Sequence, residues 1–426
     1  MLPTHPGSRL SGWSRAGRLA AILLLLLSTR SPADGLFLNG VSPRSIGRGG
    51  TNLGFADNGG VIFDNPAAMT RVPGAGLVDI GANVLVTDFE YSDAENVLAS
   101  SSIASPLPQI STIVKTEDGR FAFGCGVFLP AGFSEEYEMF GPPLLPGPRH
   151  YESFGSLAKI LPAVAWQVTD RLSLGATLGV GFSQVQLEGP YVLQGAMLPT
   201  VMKLDSSGAA LIGSLGLQYD LTDTTTVGLA WQSETRMDLD GKTFVSLAPG
   251  IASEYETDVR IKWPRSIGLG VKQQMADYHT VSADVTWMNW SETFDTVSLH
   301  MSAPTSPFFP PAVVEHIPLR WDDSVALRLG YEYDLGSQET LRLGYVYHAN
   351  PIPNATLTPF IQSTTEHGLS CGYGLPIFGC ELDLAYMFTF GRDQQVGTSA
   401  FVGGDFDGST HRAQTHAACI SLIRRF

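Results

Sequence analysis

The chain has 426 residues, enough for two or three ordinary domains or one large β structure. Hydrophobic residues make up 44%, only 16% are charged, and mean hydropathy is +0.08, which excludes both a disordered chain and a bundle of transmembrane helices. The formal net charge of −15 excludes the basic footprint that nucleic acid requires.

Residues 1–33 read as a signal peptide. Arg15 and Arg18 flank an apolar run from Leu19 to Leu27, and Ser31-Pro32-Ala33 supplies a small-residue cleavage site. The uncharged stretch between Arg18 and Arg30 is shorter than the roughly 20 residues that span a bilayer. The leader holds four arginines and no acid, so the exported chain carries 22 basic against 41 acidic residues, a net charge of −19. The stretch that follows, "SIGRGGTNLGFADNGGVIFDNPAAM" (45–69), is rich in glycine and has few large apolar residues. It shows neither a helical nor a strand period and cannot build a core of its own.

From about residue 76 the period becomes two and stays so. In "SVALRLGYEY" (324–333), Val325, Leu327, Leu329, Tyr331 and Tyr333 fall on one face, and Ser324, Ala326, Arg328, Gly330 and Glu332 on the other. A helix does not produce that split. The segments "RLSLGATLGVGFS" (171–183) and "ELDLAYMFTF" (381–390) repeat it. A soluble sandwich also alternates, but here Tyr, Trp and Phe gather near segment ends like interfacial girdles, and connections alternate short and long. Counting segments gives about fourteen strands, which predicts an all-β transmembrane antiparallel barrel over residues 76–426 with short periplasmic turns and long outer loops. The loops hold apolar stretches, with Phe140, Leu144 and Leu145 in one and Phe308 and Phe309 in another, and these are candidates for capture of an apolar ligand. Four cysteines form no CxxC, which argues against zinc. Export permits a disulfide between Cys371 and Cys380, and small wall-facing thiols are the alternative.

"GRGGTNLGFADNGGVIFDNPAAM", with its Asn-Pro-Ala motif at Asn65, Pro66 and Ala67, resembles the N-terminal hatch of the long-chain fatty-acid transporter (FadL-type) family of outer-membrane proteins. "FGCGVFLPAGFSEEY", "WPRSIGLGV", "SADVTWMNWSETFD", "IPLRWDDSVALRLGYEY" and "LRLGYVYHANPIP" look like that family's strand and loop signatures, in its order. The resemblance implies a fourteen-stranded barrel, a lumenal plug over residues 34–75, passage of fatty acids or aromatic hydrocarbons, and an inward kink on the third strand. The physics agrees. A barrel of about fourteen strands leaves a hole, and a Gly-rich plug can borrow burial from its wall. In the plug, Gly47, Gly49 and Gly50 permit close approach and positive φ. Asn65 reads as an N-cap with Pro66 at the first helical position.

The expected function is passive uptake of hydrophobic small molecules across the Gram-negative outer membrane. Outer loops capture the solute, a lumenal site holds it, the hatch moves, and the solute leaves sideways through the wall. Gly124, Gly126, Pro130 and Gly132 on the third strand are the candidates for that wall kink, because Gly and Pro interrupt ladders. For Gly124 and Gly126 the alternative is that they make room for the hatch. Arg328, Arg342, Glu332, Asp284, Glu381 and Asp383 are expected to face the lumen. Arg149, Lys159, Lys203 and Lys242 are available to meet an acidic head group. No cofactor and no metal are expected; "DFDG" (405–408) reads as an exposed turn. The partners expected are a hydrophobic ligand and outer-membrane lipid, with the chain a monomer. Two other readings remain: a plugged structural or adhesive barrel, and a lipid hydrolase hiding a Ser/His pair, with His348, His367, His411 and His416 as its possible histidines.

Overall fold

The alternating segments form long antiparallel strands. The computed structural model describes residues 37–426 apart from 101–103, 142–146, 194–197, 349, 363, 403 and 405; the leader and two of the candidate capture residues, Leu144 and Leu145, lie outside the described residues. The strands are β1 Gly76–Ser92, β2 Ala104–Lys115, β3 Phe121–Phe140, β4 Pro148–Gln167, β5 Leu172–Leu193 and β6 Leu198–Thr222. Four two-part strands follow: β7 (Thr225–Gln232, Thr235–Ala248), β8 (Ile251–Trp263, Ser266–Ala276), β9 (His279–Met288, Thr296–Ser302) and β10 (Ala312–Pro318, Ser324–Gly336). The last are β11 Glu339–His348, β12 His367–Ile377, β13 Cys380–Phe390 and β14 Thr410–Arg425. Neighbours pair in sequence order, and β1 pairs with β14 from Leu77↔Arg425 to Ser92↔Thr410. The sheet therefore closes as a fourteen-stranded barrel, the condition for crossing a bilayer with strands.

The barrel changes character along its axis. A strand needs only about ten residues to cross the hydrocarbon, yet β6 has 25. In the lower half the outward face is apolar, with Leu229, Trp231, Ile267, Leu269 and Leu211 exposed. Higher up, the outward face of β6 carries Lys203 and Asp205. The inward face there is apolar, with Leu204, Met237, Leu239, Val259 and Leu299 buried.

On β7 to β10 this reversal is a phase shift. The apolar residues keep odd numbers throughout: Leu229, Leu269, Val285 and Leu329 point to lipid, and Leu239, Val259 and Leu299 point to the lumen. The interruptions, at Ser233–Glu234, Pro264–Arg265, 289–295 and 319–323, switch which parity faces inward. Strand β3 does the same with one extra residue. Phe128 opposes Lys159 and Ala131 opposes Leu157, so Leu129 and Pro130 stand against Ala158 alone, a bulge that re-aims the strand. Lipid outside favours apolar residues outside, and water outside favours them inside.

The thiols are free. Cys371 opposes Tyr386, whereas Cys380 opposes Ile377. Six positions separate the two along β12, about 20 Å of strand, too far for a bond.

Candidate functional site

Residues 37–75 fill the lower lumen. Ser42 and Ser45 cap each other's backbone at the start of α1 (Pro43–Gly47), the capping-box arrangement, with Pro43 in the first turn. A second short helix, α2, covers Val61–Asp64. A 3₁₀ helix, Pro66–Arg71, follows it with Asn65 as its cap: the Asn65 carboxamide accepts from Ala67 N at 3.3 Å. The same carboxamide donates to Leu53 O (2.9 Å) within the plug and to Leu217 O (3.0 Å) on β6, so one side chain ties cap, plug and wall. Gly49 and Gly50 have φ of +69° and +89°, and a Cβ on Gly49 would lie 2.7 Å from Tyr345 N. Gly47 has an ordinary φ and packs its backbone against Gly372.

Charge fixes the plug. Arg44 Nε donates to Asp383 Oδ2 at 2.6 Å, and Arg342 Nη1 donates to the other oxygen of that carboxylate at 2.7 Å. Arg48 bonds Asp57 (2.8 Å) and Glu332 (3.1 Å) while lying 3.5 Å over the Phe55 ring. Asp284 accepts from Asn52 N and Leu53 N. Arg425, next to the C-terminus, donates to Glu381 and to Asp57 O. Most of the charged lumen residues expected from the sequence therefore hold the plug and are not left over for a ligand. Breaking one partner of such a buried set leaves an uncompensated charge, at a cost of about 3–5 kcal/mol.

The third strand divides its roles. Gly124 and Gly126 pair regularly with both neighbours. A Cβ on Gly124 would lie 2.8 Å from Met69 Sδ and 3.0 Å from Ile62 Cδ1, so this glycine makes room for the plug. A Cβ on Gly126 would meet the Phe128 ring at 2.3 Å. The irregularity falls at Leu129–Pro130, with Gly132 just beyond it. Pairing of β3 with β2 ends at Ile110↔Val127, although β2 continues beside β1 as far as Ala104. Above Val127 the wall thus lacks its β2–β3 ladder. Here the N-terminal segment enters: Leu38 N donates to Pro130 O at 2.8 Å and Phe37 bridges Ala131.

That segment partitions the lumen. On one side, next to the plug, lies a cavity lined by Phe37, Phe63, Gln232 and Asp284. On the other lies a cavity reaching Leu107 of β2 and Gly132 of β3, on the two sides of the open wall. Above is a chamber that is almost wholly apolar, with Leu204, Ile261, Trp263, Phe294 and Leu319 in its lining. The wall interruptions on β9 and β10 supply its rings: Trp290, Phe294 and Trp321 pack with centroids 4.9–5.1 Å apart, and Phe37 lies 5.6 Å from Trp263.

Lys159 is 2% exposed in this lumen. Its ammonium donates to Gln232 at 3.2 Å and lies 4.9 Å over Phe63 and 5.7 Å from Phe37. No carboxylate lies within salt-bridge distance of it among the described residues. Lys203 and Lys242, by contrast, pair with Glu188 and Glu254 on the outer surface. The sequence offered four equivalent cations, and the structure shows Lys159 enclosed in the lumen opposite Phe128 of β3.

The described candidate capture residues do not share a site. Phe308 is 93% exposed, Phe309 is buried against Tyr255, and Phe140 is exposed at the end of β3. None lines the chambers described. The apolar lining near the outer loops comes instead from Leu187, Val192, Ile317, Phe360, Phe401 and Phe406, which are spread over four segments and had no common sequence signal. A Ser/His pair does exist: Ser409 Oγ lies 3.0 Å from His411 Nε2. Both residues are wholly enclosed, the hydroxyl donates to Phe406 O, and the other ring nitrogen has no partner among the described residues. Among the described residues no acid bonds that histidine, so within them the pair lacks the third member of a hydrolytic triad.

Comparison with known proteins agrees with this architecture. Residues 24–425 match the model of the outer membrane protein transport protein family (OMPP1/FadL/TodX). The long-chain fatty acid transport protein of Escherichia coli O6:H1 is 21% identical over 427 residues, covering 90% of each chain. Outer membrane protein P1 of Haemophilus influenzae is 22% identical over 379 residues, 77% of this chain and 80% of that one. Among solved structures, a FadL homologue of Pseudomonas aeruginosa superposes with a TM-score of 0.78 at 18% identity, covering 92% of this chain and all of the other. The toluene transporter TodX of P. putida gives 0.77 at 20% identity, covering 91% and 99%. The chain belongs to the OMPP1/FadL/TodX family and is an outer-membrane transport protein.

Proposed function

We propose that this chain carries hydrophobic molecules with an acidic head, such as long-chain fatty acids, down their gradient across the outer membrane. The observation that carries this reading is Lys159, a buried cation without a carboxylate among the described residues, set near the Phe37 and Phe63 rings and Gln232, which line the cavity next to the plug. Each CH₂ transferred from water to the chamber contributes about 0.8 kcal/mol, so a long chain is held strongly while the ammonium fixes its head. A relative named for long-chain fatty acid transport supports the substrate class.

In this reading the solute leaves water at the outer loops, where Phe140 and Phe308 are exposed, and descends to Lys159. Release of Leu38 from Pro130 joins the two lumenal cavities. The solute then passes the unpaired stretch of β3 into the membrane and avoids the watery periplasm. The plug, held by Gly47, Gly49, Gly50, Asn65, Pro66 and Ala67, shifts only as far as this requires. The protein works as a monomer in contact with outer-membrane lipid.

Brominated fatty acid provides the test, because bromine quenches nearby tryptophan and Trp263 lines the chamber. Dibromostearate is expected to quench the purified protein saturably, and Lys159→Met to weaken the effect about tenfold, the loss of one charged hydrogen bond. Equal quenching in both proteins would remove Lys159 from the site.

A further inference from the structure

The cavity beside the open wall has chemistry opposite to that at Lys159. Its apolar lining includes Phe37, Leu85, Phe89 and Leu107, and no lysine or arginine is among its lining residues. Its polar groups on β1 and β3 include two oxygens that accept from nothing and one hydroxyl without a partner among the described residues. Glu135, 1% exposed, receives Gln362 N on Oε1 at 3.0 Å, and its Oε2 has no partner among the described residues. The Asn83 carboxamide is oriented by its donation to Val41 O at 3.1 Å, which leaves its Oδ1 unpartnered; the Thr87 hydroxyl is likewise unpartnered. Buried polar atoms normally find partners, and three unpartnered groups lining one apolar cavity, on the strands either side of β2, define a place for a small polar group on an apolar body.

We propose that this cavity is a second ligand site, selective for a neutral hydroxyl-bearing apolar molecule such as a phenol or a long-chain alcohol. The inference rests on the uptake reading for its route, but the site is separate. A hydroxyl both donates and accepts, so it satisfies Asn83 Oδ1 or Glu135 Oε2 and can also take the Thr87 proton. A carboxylate cannot donate, and it would lie beside Glu135 Oε2, an acceptor like itself, in a cavity lined by no lysine or arginine. A bare hydrocarbon fills the volume and leaves the acceptors unmet, at the cost of unsatisfied buried groups. The site lies against the stretch where β2 and β3 do not pair, since Leu107 and Gly132 both lie beyond the last pair, Ile110↔Val127. Solutes held there are next to the wall opening, and the Lys159 ammonium is not among the groups that line this cavity. The two cavities thus sort apolar molecules by head group within one lumen.

Crystals of the full chain soaked separately in 4-bromophenol, 4-bromobenzoate and bromobenzene locate each ligand by the anomalous signal of bromine. 4-Bromophenol is expected in this cavity with its oxygen within hydrogen-bond reach of Glu135 or Asn83, at least tenfold more strongly bound than bromobenzene. 4-Bromobenzoate is expected to be absent from the cavity. The double variant Thr87→Val, Glu135→Met is expected to lose bromophenol preference and retain bromobenzene. Glu135→Gln, which replaces the carboxyl with a group that carries an amide donor, is expected to admit bromobenzoate. Bromobenzoate in the wild-type cavity, or equal occupancy by bromophenol and bromobenzene, overturns the proposal. Absence of bromobenzoate at Lys159 overturns the fatty-acid reading and leaves this one standing.

Discussion

Asp383 is the most informative residue to change in the plug. Its two oxygens receive Arg44 from the plug at 2.6 Å and Arg342 from β11 at 2.7 Å, and its side chain is wholly buried. Asp383→Asn preserves shape and removes one charge, leaving two buried guanidiniums that share the remaining carboxylates, Glu332, Glu381 and Asp57. The expected loss is about 3–5 kcal/mol, the cost of breaking a buried pair. The lipid-facing ladders are untouched, so the loss should fall on seating of the plug. In planar bilayers the variant should conduct in frequent openings where the parent is quiet. The folded barrel should still migrate faster than the boiled chain on gels. Asp238→Asn is the control: Asp238 pairs with Arg260 on the outside with both side chains more than two-thirds exposed, and such pairs contribute little. Parent-like conductance in Asp383→Asn would show that this charge network does not hold the plug.

Other outcomes follow from the same geometry. Gly49→Ala combines a left-handed backbone with a Cβ 2.7 Å from Tyr345 N and should unseat the plug, while Gly119→Ala has the same φ of +69° but open space, and should cost only the backbone term of about 1–2 kcal/mol; conductance separates them. Asn65→Ala removes the cap and two further hydrogen bonds, an expected loss of about 2–3 kcal/mol read as a lowered denaturant midpoint for plug protection in hydrogen exchange. Deleting Pro130 removes the extra residue of the β3 bulge and lets Leu129 oppose Ala158 without changing which residues face inward. Uptake should fall while fatty-acid quenching of tryptophan persists; unchanged uptake would place the exit elsewhere. Gly124→Val should also lower uptake, through collision with Met69 and Ile62 of the plug.

Much of the fold was legible because alternation with period two survives any local distortion of the strands, and because turn length distinguishes the two ends of the barrel. Asn65 and Pro66 were legible as a helix start because capping is a local interaction. What could not be read was phase. Along β7 to β10 the apolar residues keep one parity in the sequence, so each segment looks like one uniform lipid-facing strand. Only the structure shows that the interruptions turn the upper half inward and build an apolar chamber from it. Lys159 was not legible for another reason: Arg149 shares its parity on β4, and only the structure shows which of the two is enclosed beside Phe37 and Phe63. Glycine had two readings at Gly124, room and bend, and only the position of Met69 and Ile62 separates them. The extra residue responsible for the bend is one place in a ladder and becomes visible only when β3 is aligned with β4.

The most direct test is uptake by cells that lack their own channel for hydrophobic solutes and carry this chain in the outer membrane. Labelled long-chain fatty acid should enter saturably, and Lys159→Met should lower that uptake about tenfold at subsaturating concentration with the barrel present in equal amount. Entry no faster than in cells without the chain, or entry indifferent to Lys159, would contradict the account.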